Sequence, residues 1–430
     1  MSAITHDLRF GVRQLRRNPT FTIVAVLSLA LGIGANAAIF QLIDAIRLRA
    51  LPVAHPEQLA YIDFVKGARR SGWWSTRSAN FTFAQWESLA KRQEAFSGMI
   101  AWSAKEVNLS ASGKARFAEG VFVSGDYFNL LGVPAAVGRV FTGEDDRAGC
   151  GAPGAVISHS FWQSEYAADP AIASRTVRLD GRVFPIIGVA AAGFFGVDVG
   201  HRFDVAVPLC SDPMFWEAGK GRIPLRTAWW LSIMGRLKPD WTLERAKAQI
   251  QAVSGPVMQD TLPPSYRADT AKGYLANKLQ VTPGATGVSQ LRRRYENPLW
   301  ILFAITGSVL LIACANLANL LLARASVRER EIAVRQALGA SRMQLIRQLL
   351  VESMLLAMAG TALGAGLAAL LSRGLVAFLA TETNRMFVGL GIDWRLLGFA
   401  ASLAVLTAVL FGLAPALRAT RVAPASVIGL

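Results

Sequence analysis

Long apolar stretches alternate with polar segments of very unequal length along this chain. The apolar stretches predict four transmembrane helices, over residues 21–46, 299–323, 350–372 and 396–417. Each is long enough to cross a hydrocarbon core of about 30 Å as an α-helix. A basic segment, residues 1–20, precedes the first helix, and residues 298–430 hold the other three.

The polar segment between the first two helices, residues 47–297, is much too long for a connecting loop. Its local patterns predict an α+β domain, either as one body or as two subdomains. A helix is predicted over Asn80–Phe96, with Asn80 as its cap. The segment Gly154–Val189 is predicted to form a strand, a helix and then a hairpin that turns at Asp180-Gly181. A further strand is predicted over Trp229–Leu237, and a helix from its cap Thr242 to about Val253. They follow no regular βαβ period, which excludes a dinucleotide-binding α/β domain.

A charged, amphipathic segment, residues 324–347, joins the second and third predicted helices. We expect a short helix from about Val327 to Leu338, because Gly339 can end a helix and Ser341 can cap the next one. The simpler alternative is an ordinary basic loop on the cytoplasmic side of the membrane.

The same segment carries a favourable charge pattern. Glu329 and Glu331 lie near the expected helix start, and Glu331 precedes Arg335 by one turn in the stabilising order. We expect its small apolar side chains to face a partner protein: Ile332, Ala333 and Ala337.

Charge predicts the orientation. Arginines precede the first helix, fill the 324–347 segment and follow the fourth helix, whereas the connection between helices three and four has few. Positive residues mark cytoplasmic flanks, so both termini are expected in the cytoplasm and the α+β domain outside. The net charge of +16 is then explained by topology and by anionic lipid headgroups rather than by nucleic acid.

The first helix has one alternative interpretation. Ala35-Asn36-Ala37 resembles a signal-peptide cleavage site, but the apolar run continues to Ile43, well beyond the length of a signal peptide's apolar region. We therefore expect an uncleaved membrane anchor.

Residues with catalytic or metal-binding chemistry form no convincing site in the sequence. The four histidines lack metal-ligand spacing, and Glu144, Asp145 and Asp146 are expected to form a solvated turn. Ser158-His159-Ser160 is expected on a strand, where neighbours point to opposite faces. No GxxxxGK[ST] motif occurs, so the chain is expected to bind no nucleotide or other cofactor, and another polypeptide must hydrolyse any ATP.

The three cysteines are interpreted by location. Cys314 lies in a predicted span, while Cys150 and Cys210 lie in the outer domain, where a disulfide is chemically possible. Two cysteines in so large a domain favour unpaired thiols, with a bridge as the alternative.

Small and polar residues within the spans predict helix contacts. Gly360 and Gly364 form a small-xxx-small pair, and Gly366 extends the smooth face. Asn316 and Asn319 are costly in lipid unless paired, so we expect them to face protein and to bond across helices.

Several long motifs resemble one family. These are DLRFGVRQLRRNPTFTIVAVLSLALGIGANAAIF (Asp7–Phe40), VSGDYFNLLGVPAAVGRVFTGEDD (Val123–Asp146), LIACANLANLLLARASVREREIAVRQALGASR (Leu311–Arg342) and GLAPALRATRVAPASVIGL (Gly412–Leu430). The chain resembles the MacB-type, FtsX-like permeases of ABC transporters, most of all the acidobacterial permeases that carry two such units in tandem. The resemblance covers essentially the whole chain, but no second unit is present.

The resemblance implies a function and partners. It implies that Arg328–Ser341 contacts a separate ATP-binding subunit and that the ATPase cycle moves the outer domain, for export or mechanical transmission at the bacterial inner membrane. It implies a homodimer or a pairing with a second permease unit, and a periplasmic adaptor is a further expected partner. The alternative is a non-transporting regulator whose outer domain activates a cell-wall hydrolase.

Overall fold

The computed structural model describes residues 2–75, 80–110, 115–150, 153–216, 221–327, 342–379 and 394–419. The chain forms two compact units. The helical unit comprises Met1–Arg47 and Arg292–Leu430, and the sheet unit comprises Leu48–Leu291.

The sheet unit is built on one mixed β-sheet flanked by short helices. Its strands are β1 (Leu59–Phe64), β2 (Trp73–Trp74), β3 (Phe96–Asn108), β4 (Phe117–Val123), β5 (Ala135–Gly138), β6 (Ala155–Ile157), β7 (Thr176–Leu179), β8 (Arg182–Ala190), β9 (Val205–Pro208), β10 (Ala228–Trp229), β11 (Ser232–Leu237) and β12 (Leu279–Pro283). Among the described residues the order is β12-β1-β11-β3-β4-β9-β6-β8-β5, with β7 paired to β8 and a separate parallel pair of β2 and β10.

Helices cover both faces of this sheet. The helices of the unit are α3 (Phe83–Arg92), α4 (Tyr127–Leu131), α5 (His159–Tyr166), α6 (Leu243–Asp260) and α7 (Ala268–Leu275). Alternate residues of a strand point to opposite faces. Ile62 of β1 accordingly joins a core with Ile250 of α6, whereas its neighbour Tyr61 joins a second core with Phe128 of α4.

The structure confirms most of the elements predicted for this unit. The segment Gly154–Val189 folds as a strand, a helix and a hairpin that turns at Asp180-Gly181, where both residues have positive φ. Thr242 caps α6 as predicted, since its side chain accepts a hydrogen bond from the Arg245 amide. That helix runs to Asp260, beyond the predicted end, and includes Pro256.

Two predicted boundaries in the sheet unit are wrong. The cap of α3 is Thr82, not Asn80, because Thr82 and Gln85 form a reciprocal capping box while the Asn80 side chain donates to Asp63 at 2.8 Å. The strand predicted over Trp229–Leu237 is divided, because Trp229 pairs with the β2 ribbon and only β11 joins the main sheet.

The helical unit contains the four predicted membrane spans. Its helices are α1 (Ser2–Arg17), α2 (Pro19–Ile43), α8 (Gln290–Val327), α9 (Arg342–Leu379) and α10 (Trp394–Ala419). By length and composition, four stretches of the described residues can cross a membrane: Pro19–Leu48, Asn297–Ala323, Ile346–Leu375 and Trp394–Gly412. The prediction of four helices long and apolar enough to cross a membrane is confirmed.

The four spans differ in how deeply they are buried. In its most apolar window, the first span is 56% buried and the second only 17%. The core between them is formed by residues from all four helices: Ala25, Leu29, Ile33, Leu310, Cys314, Leu317, Leu356, Ala357, Ala404, Ala408 and Phe411. Helix α2 is therefore the central helix, and α8 lies at the periphery.

Candidate functional site: the contacts of α2 within the helical unit

Helix α9 packs against α2 through glycines. A Cβ atom placed on Gly360 would lie 2.7 Å from the Leu29 Cβ, and one on Gly364 would lie 3.1 Å from the Gly34 nitrogen. Only residues without a side chain permit this approach of two helix backbones. Farther along, Ala38 of α2 clusters with Ala368 of α9, so the two helices run parallel.

Buried polar residues of the first span, Pro19–Leu48, bond to each of the other three spans. The Asn36 Oδ1 accepts from the Thr306 hydroxyl of α8 at 3.1 Å. The Gln41 Oε1 accepts from the Ser372 hydroxyl of α9 at 2.9 Å. Such hydrogen bonds fix helix register because an unpaired polar group in an apolar interior is costly.

The third contact is ionic and lies at the end of α2. Asp44, in the π-helical turn Asp44–Leu48, accepts from the Arg395 Nη1 of α10 at 3.2 Å and is only 4% exposed in its side chain. The backbone carbonyl of Ile46 accepts two bonds from the Arg292 guanidinium, at 2.9 and 3.1 Å. Two arginines of the helical unit thus bond to the turn that follows α2.

The opposite end of the bundle has its own ion pair. The Arg347 Nε of α9 donates to the Asp7 Oδ2 of α1 at 2.6 Å, and the Asp7 side chain is 7% exposed. Beside this pair α1 lies close to α9, since a Cβ placed on Gly11 would be 2.9 Å from the Leu355 Cδ1. The start of α9 is therefore fixed to α1 by charge and by close packing.

The segment expected to contact the ATP-binding subunit, residues 328–341, lies outside the described residues. This applies to its whole length and to every residue assigned to it: Arg328, Glu329, Glu331, Ile332, Arg335, Ala337, Gly339 and Ser341. The described helices on either side are α8, which ends at Val327, and α9, which begins at Arg342. Residues 328–341 therefore follow α8 and precede α9 in the chain.

Asn316 and Asn319, which are expected to face protein, do not point into the core of the helical unit. Both are exposed, because α8 turns Leu310, Cys314 and Leu317 toward the core and the two asparagines lie on other faces. Gly366 is also outside the contact, since a Cβ there would meet nothing within 4 Å.

The polar contacts of α2 were not among the predicted positions. Asn36 and Gln41 interrupt an apolar run, and a polar residue inside a span is the sequence signal that marks them. The partners of Asp7 and Asp44 have no such signal, because the ion pairs join residues far apart in the chain.

The sheet unit contains a disulfide where unpaired thiols were favoured. Cys150 and Cys210 are bonded, with their Cα atoms 5.4 Å apart. The fold brings them together because the turn that ends at Asp146 packs against the 3₁₀ helix Leu209–Phe215, where the Cys210 amide donates to Asp146 at 2.7 Å. The alternative that the sequence left open is the correct one.

Two other interpretations of polar clusters need correction. Ser158 does not lie in a strand with His159; it caps α5, and its hydroxyl accepts from the Phe161 amide at 3.2 Å. Of the three acidic residues in the turn only Glu144 is exposed, and burial raises the pKa of Asp146 to about 6. Within the described residues, no cluster of three His, Cys, Asp or Glu side chains is arranged to hold a metal ion.

The sequence models of two protein families match this chain. The MacB-like periplasmic core domain matches residues 22–253, and the FtsX-like permease C-terminal region matches residues 303–424. The chain belongs to the MacB-type permease family. It is a multi-pass protein of the bacterial inner membrane. The members of its family are permease components of ABC transporters.

The individual relatives are distant in sequence. The chain is 23% identical over 303 residues to the "Probable export ATP-binding/permease protein MacB" of Pseudomonas entomophila, a match that covers 70% of this chain and 40% of that protein. It is 30% identical over 124 residues to the "Uncharacterized ABC transporter permease YknZ" of Bacillus subtilis, covering 29% of this chain and 30% of that one. Each match thus covers less than half the length of the relative.

Solved structures, of which the following is one, are similar to part of the chain. The periplasmic region of MacB from Actinobacillus actinomycetemcomitans aligns with 60% of this chain and 98% of its own length, with a TM-score of 0.37 and 15% identity.

Proposed function

We propose that this chain is the membrane subunit of a MacB-type ABC transporter in which a separate ATP-binding subunit drives movement of the sheet unit. The observation that carries the proposal is the continuous set of contacts from α9 to α2. Helix α9 starts at Arg342, immediately after the segment expected to bind the ATPase, and α2 leads directly into Leu48 of the sheet unit.

Close packing makes these two helices suitable for transmitting a displacement. A 38-residue helix such as α9 is about 57 Å long. At Gly360 and Gly364 the backbones of α9 and α2 leave no flexible side chain between them that could absorb a shift. A movement imposed on the start of α9 therefore displaces α2 as well.

The ATPase is proposed to be a different polypeptide. The sequence contains no GxxxxGK[ST] motif, so this chain holds no phosphate-binding loop of that type. ATP is bound and hydrolysed by the partner, and residues 328–341 form the docking segment. The chain itself needs neither a cofactor nor a catalytic residue for this role.

A second copy of the permease is the proposed partner within the membrane. Asn316 and Asn319 are exposed on α8, the least buried span, and amide side chains in lipid are unfavourable without a partner. Pairing of two α8 helices, or of α8 with a second permease unit, would satisfy them.

Export is the favoured use of the movement. The MacB relative is named as an export protein and YknZ as a transporter permease, which disfavours the regulator of a cell-wall hydrolase. A periplasmic adaptor that contacts the sheet unit fits the same scheme. The proposed orientation places both termini and residues 328–341 in the cytoplasm, so a reporter fused after Arg335 should be cytoplasmic and one fused near Gly200 external.

Reconstitution tests the proposal. The purified chain alone should hydrolyse no ATP, and the complex with the ATP-binding subunit should hydrolyse ATP at a rate that changes when residues 328–341 are altered. ATP hydrolysis by a preparation shown to lack other subunits would contradict it.

A further inference from the structure

Helix α1 has an exposed surface rich in arginine, and a groove lies along this surface. Within residues 1–43 the only acidic residue is Asp7, and its carboxylate is turned inward to Arg347. The basic residues lie on exposed positions of the helix or its last turn: Arg9, Arg13, Arg16 and Arg17. The surface therefore has an excess of positive charge.

Apolar side chains continue this surface toward the membrane spans. A groove of about 540 Å³ is lined by Leu8, Val12 and the four arginines. A second groove, of about 470 Å³, shares Val12 and Arg16 with the first and extends to Ile23 and Leu355. Leu8 and Val12 are 40% and 41% exposed, and Ile23 is 57% exposed.

Hydrogen bonds from the start of α2 fix the orientation of α1 relative to α2. The Thr22 hydroxyl donates to the Leu15 carbonyl at 2.9 Å and to the Asn18 carbonyl at 3.0 Å. Together with the Asp7–Arg347 pair, these bonds keep α1 in the position in which the two grooves adjoin. The carboxylate-bearing Glu352 is 6% exposed and its backbone lies beneath Gly11, on the covered side of α1.

We propose that the joined grooves bind an anionic phospholipid, with the phosphate on Arg13 and Arg16 and one acyl chain along Val12, Ile23 and Leu355. The far end of the groove belongs to the spans Pro19–Leu48 and Ile346–Leu375, which have the length and composition of membrane-crossing helices. An occupant must therefore combine an anionic head with an apolar tail, and the charge at the head end excludes a neutral lipid as the preferred ligand. This site is additional to the proposed transport function and does not depend on it.

Quenching by brominated lipids tests the site in the full-length chain. A fluorophore is attached at Thr20→Cys, beside the groove, in a Cys314→Ala background, and a second sample carries it at Leu406→Cys, which is 52% exposed on α10. Vesicles of phosphatidylcholine contain brominated phosphatidylglycerol or brominated phosphatidylcholine in equal amounts. An arginine near an anionic surface changes lipid affinity about fivefold. We expect phosphatidylglycerol to be preferred at least about fivefold at Thr20→Cys and not at Leu406→Cys.

Matched variants show whether the arginines cause the preference. In the triple variant Arg9→Gln, Arg13→Gln and Arg16→Gln, the preference for phosphatidylglycerol over phosphatidylcholine at Thr20→Cys should fall to a ratio of about one. A triple variant with the same charge loss in the sheet unit, Arg178→Gln, Arg182→Gln and Arg267→Gln, should leave it unchanged. Quenching at Leu406→Cys by phosphatidylcholine verifies that each variant is inserted.

Equal quenching by the two lipids at Thr20→Cys, in the protein that keeps all four arginines, would overturn the proposal. This holds even if the triple variant could not be purified. An unchanged preference in the α1 variant would do the same. Glycerol phosphate in solution should not abolish the preference; if it does, the grooves bind free phosphate and the lipid assignment is wrong.

Discussion

Gly34 of α2 and Gly364 of α9 meet backbone to backbone within the helical unit. A Cβ placed on Gly34 would lie 2.8 Å from the Gly364 carbonyl oxygen, closer than real Cβ contacts. The contact explains why the small-xxx-small pattern of α9 lies where it does. It leaves no side chain between the two backbones at this point.

Substitution of Gly364 by leucine should separate the two helices. Overpacking of this kind costs about 1–3 kcal/mol, so we expect a lower thermal unfolding midpoint in detergent and loss of transporter activity. Gly366→Leu is the matched control, because it lies on the same helix and its Cβ would meet nothing within 4 Å. Equal effects of the two substitutions would show that the glycine contact is not needed.

Sequence patterns predicted this helix contact but not its partner. Periodic small residues mark a face of a helix, whereas the identity of the opposing helix depends on the whole fold. For the same reason the polar positions alone do not show which protein surface Asn316 and Asn319 face, whereas Asn36, Gln41 and Asp44 bond within the helical unit. The ion pairs of Asp7 and Asp44 link residues more than 300 positions apart, and no local pattern specifies them.

The Cys150–Cys210 disulfide should stabilise the sheet unit. It closes a loop with a sequence separation of 60 residues, for which chain entropy predicts about 4 kcal/mol. We expect Cys150→Ser with Cys210→Ser to lower the urea midpoint of tryptophan fluorescence strongly. Cys314→Ala, which removes the buried free thiol of the described chain, should not change that transition. A reductant that leaves the midpoint unaltered in the unmodified protein would argue against the bridge.

Asp145 should determine part of the acid stability. Its carboxylate accepts from both terminal nitrogens of Arg139, at 2.7 and 2.8 Å, and this hydrogen bonding lowers its pKa from 3.8 to about 2. A depressed pKa gives stability that is present above about pH 4 and is lost as the pH falls toward 2. Arg139→Gln should therefore move acid unfolding to higher pH.

The control for this prediction is Arg147→Gln in the same turn. Arg147 pairs with Glu144, and both side chains are about 70% exposed, so the pair contributes little. Asp146, whose pKa is raised, is present in the unmodified protein and in both variants. Its contribution to the acid dependence therefore cancels when their curves are compared. Circular dichroism between pH 2 and 5 measures the shift, and coincident curves for the Arg139 variant and the unmodified protein would refute the assignment.

Charge reversal tests the docking segment, which lies outside the described residues. Glu331→Arg or Arg335→Glu alone would place like charges one turn apart, costing a few tenths of a kcal/mol within a helix. We expect each single reversal and the double reversal to abolish ATPase-dependent activity at normal membrane levels, because the double variant restores the pair but not the original surface. Full activity of the double variant would mean that the two side chains serve the helix alone.

The domain class was more accessible from sequence than the details of its chemistry. Alternation and turn signals such as Asp180-Gly181 specify local strands, so the α+β character was predictable. The pairing of Cys150 with Cys210 depends on a long-range packing of two turns. Thr82, rather than Asn80, caps α3 because tertiary contacts give Asn80 another partner, Asp63.

Movement of the sheet unit during the ATPase cycle is the central claim, and a spin-label distance measures it most directly. Labels at Arg178→Cys, exposed in the sheet unit, and Leu370→Cys, 68% exposed on α9, would be introduced in a Cys314→Ala background and diluted with unlabelled protein in the ATPase complex. The account predicts that the distance distribution differs between nucleotide-free and ATP-bound complexes, and that Gly364→Leu reduces the difference while Gly366→Leu preserves it. Identical distributions in a complex that hydrolyses ATP normally would contradict it.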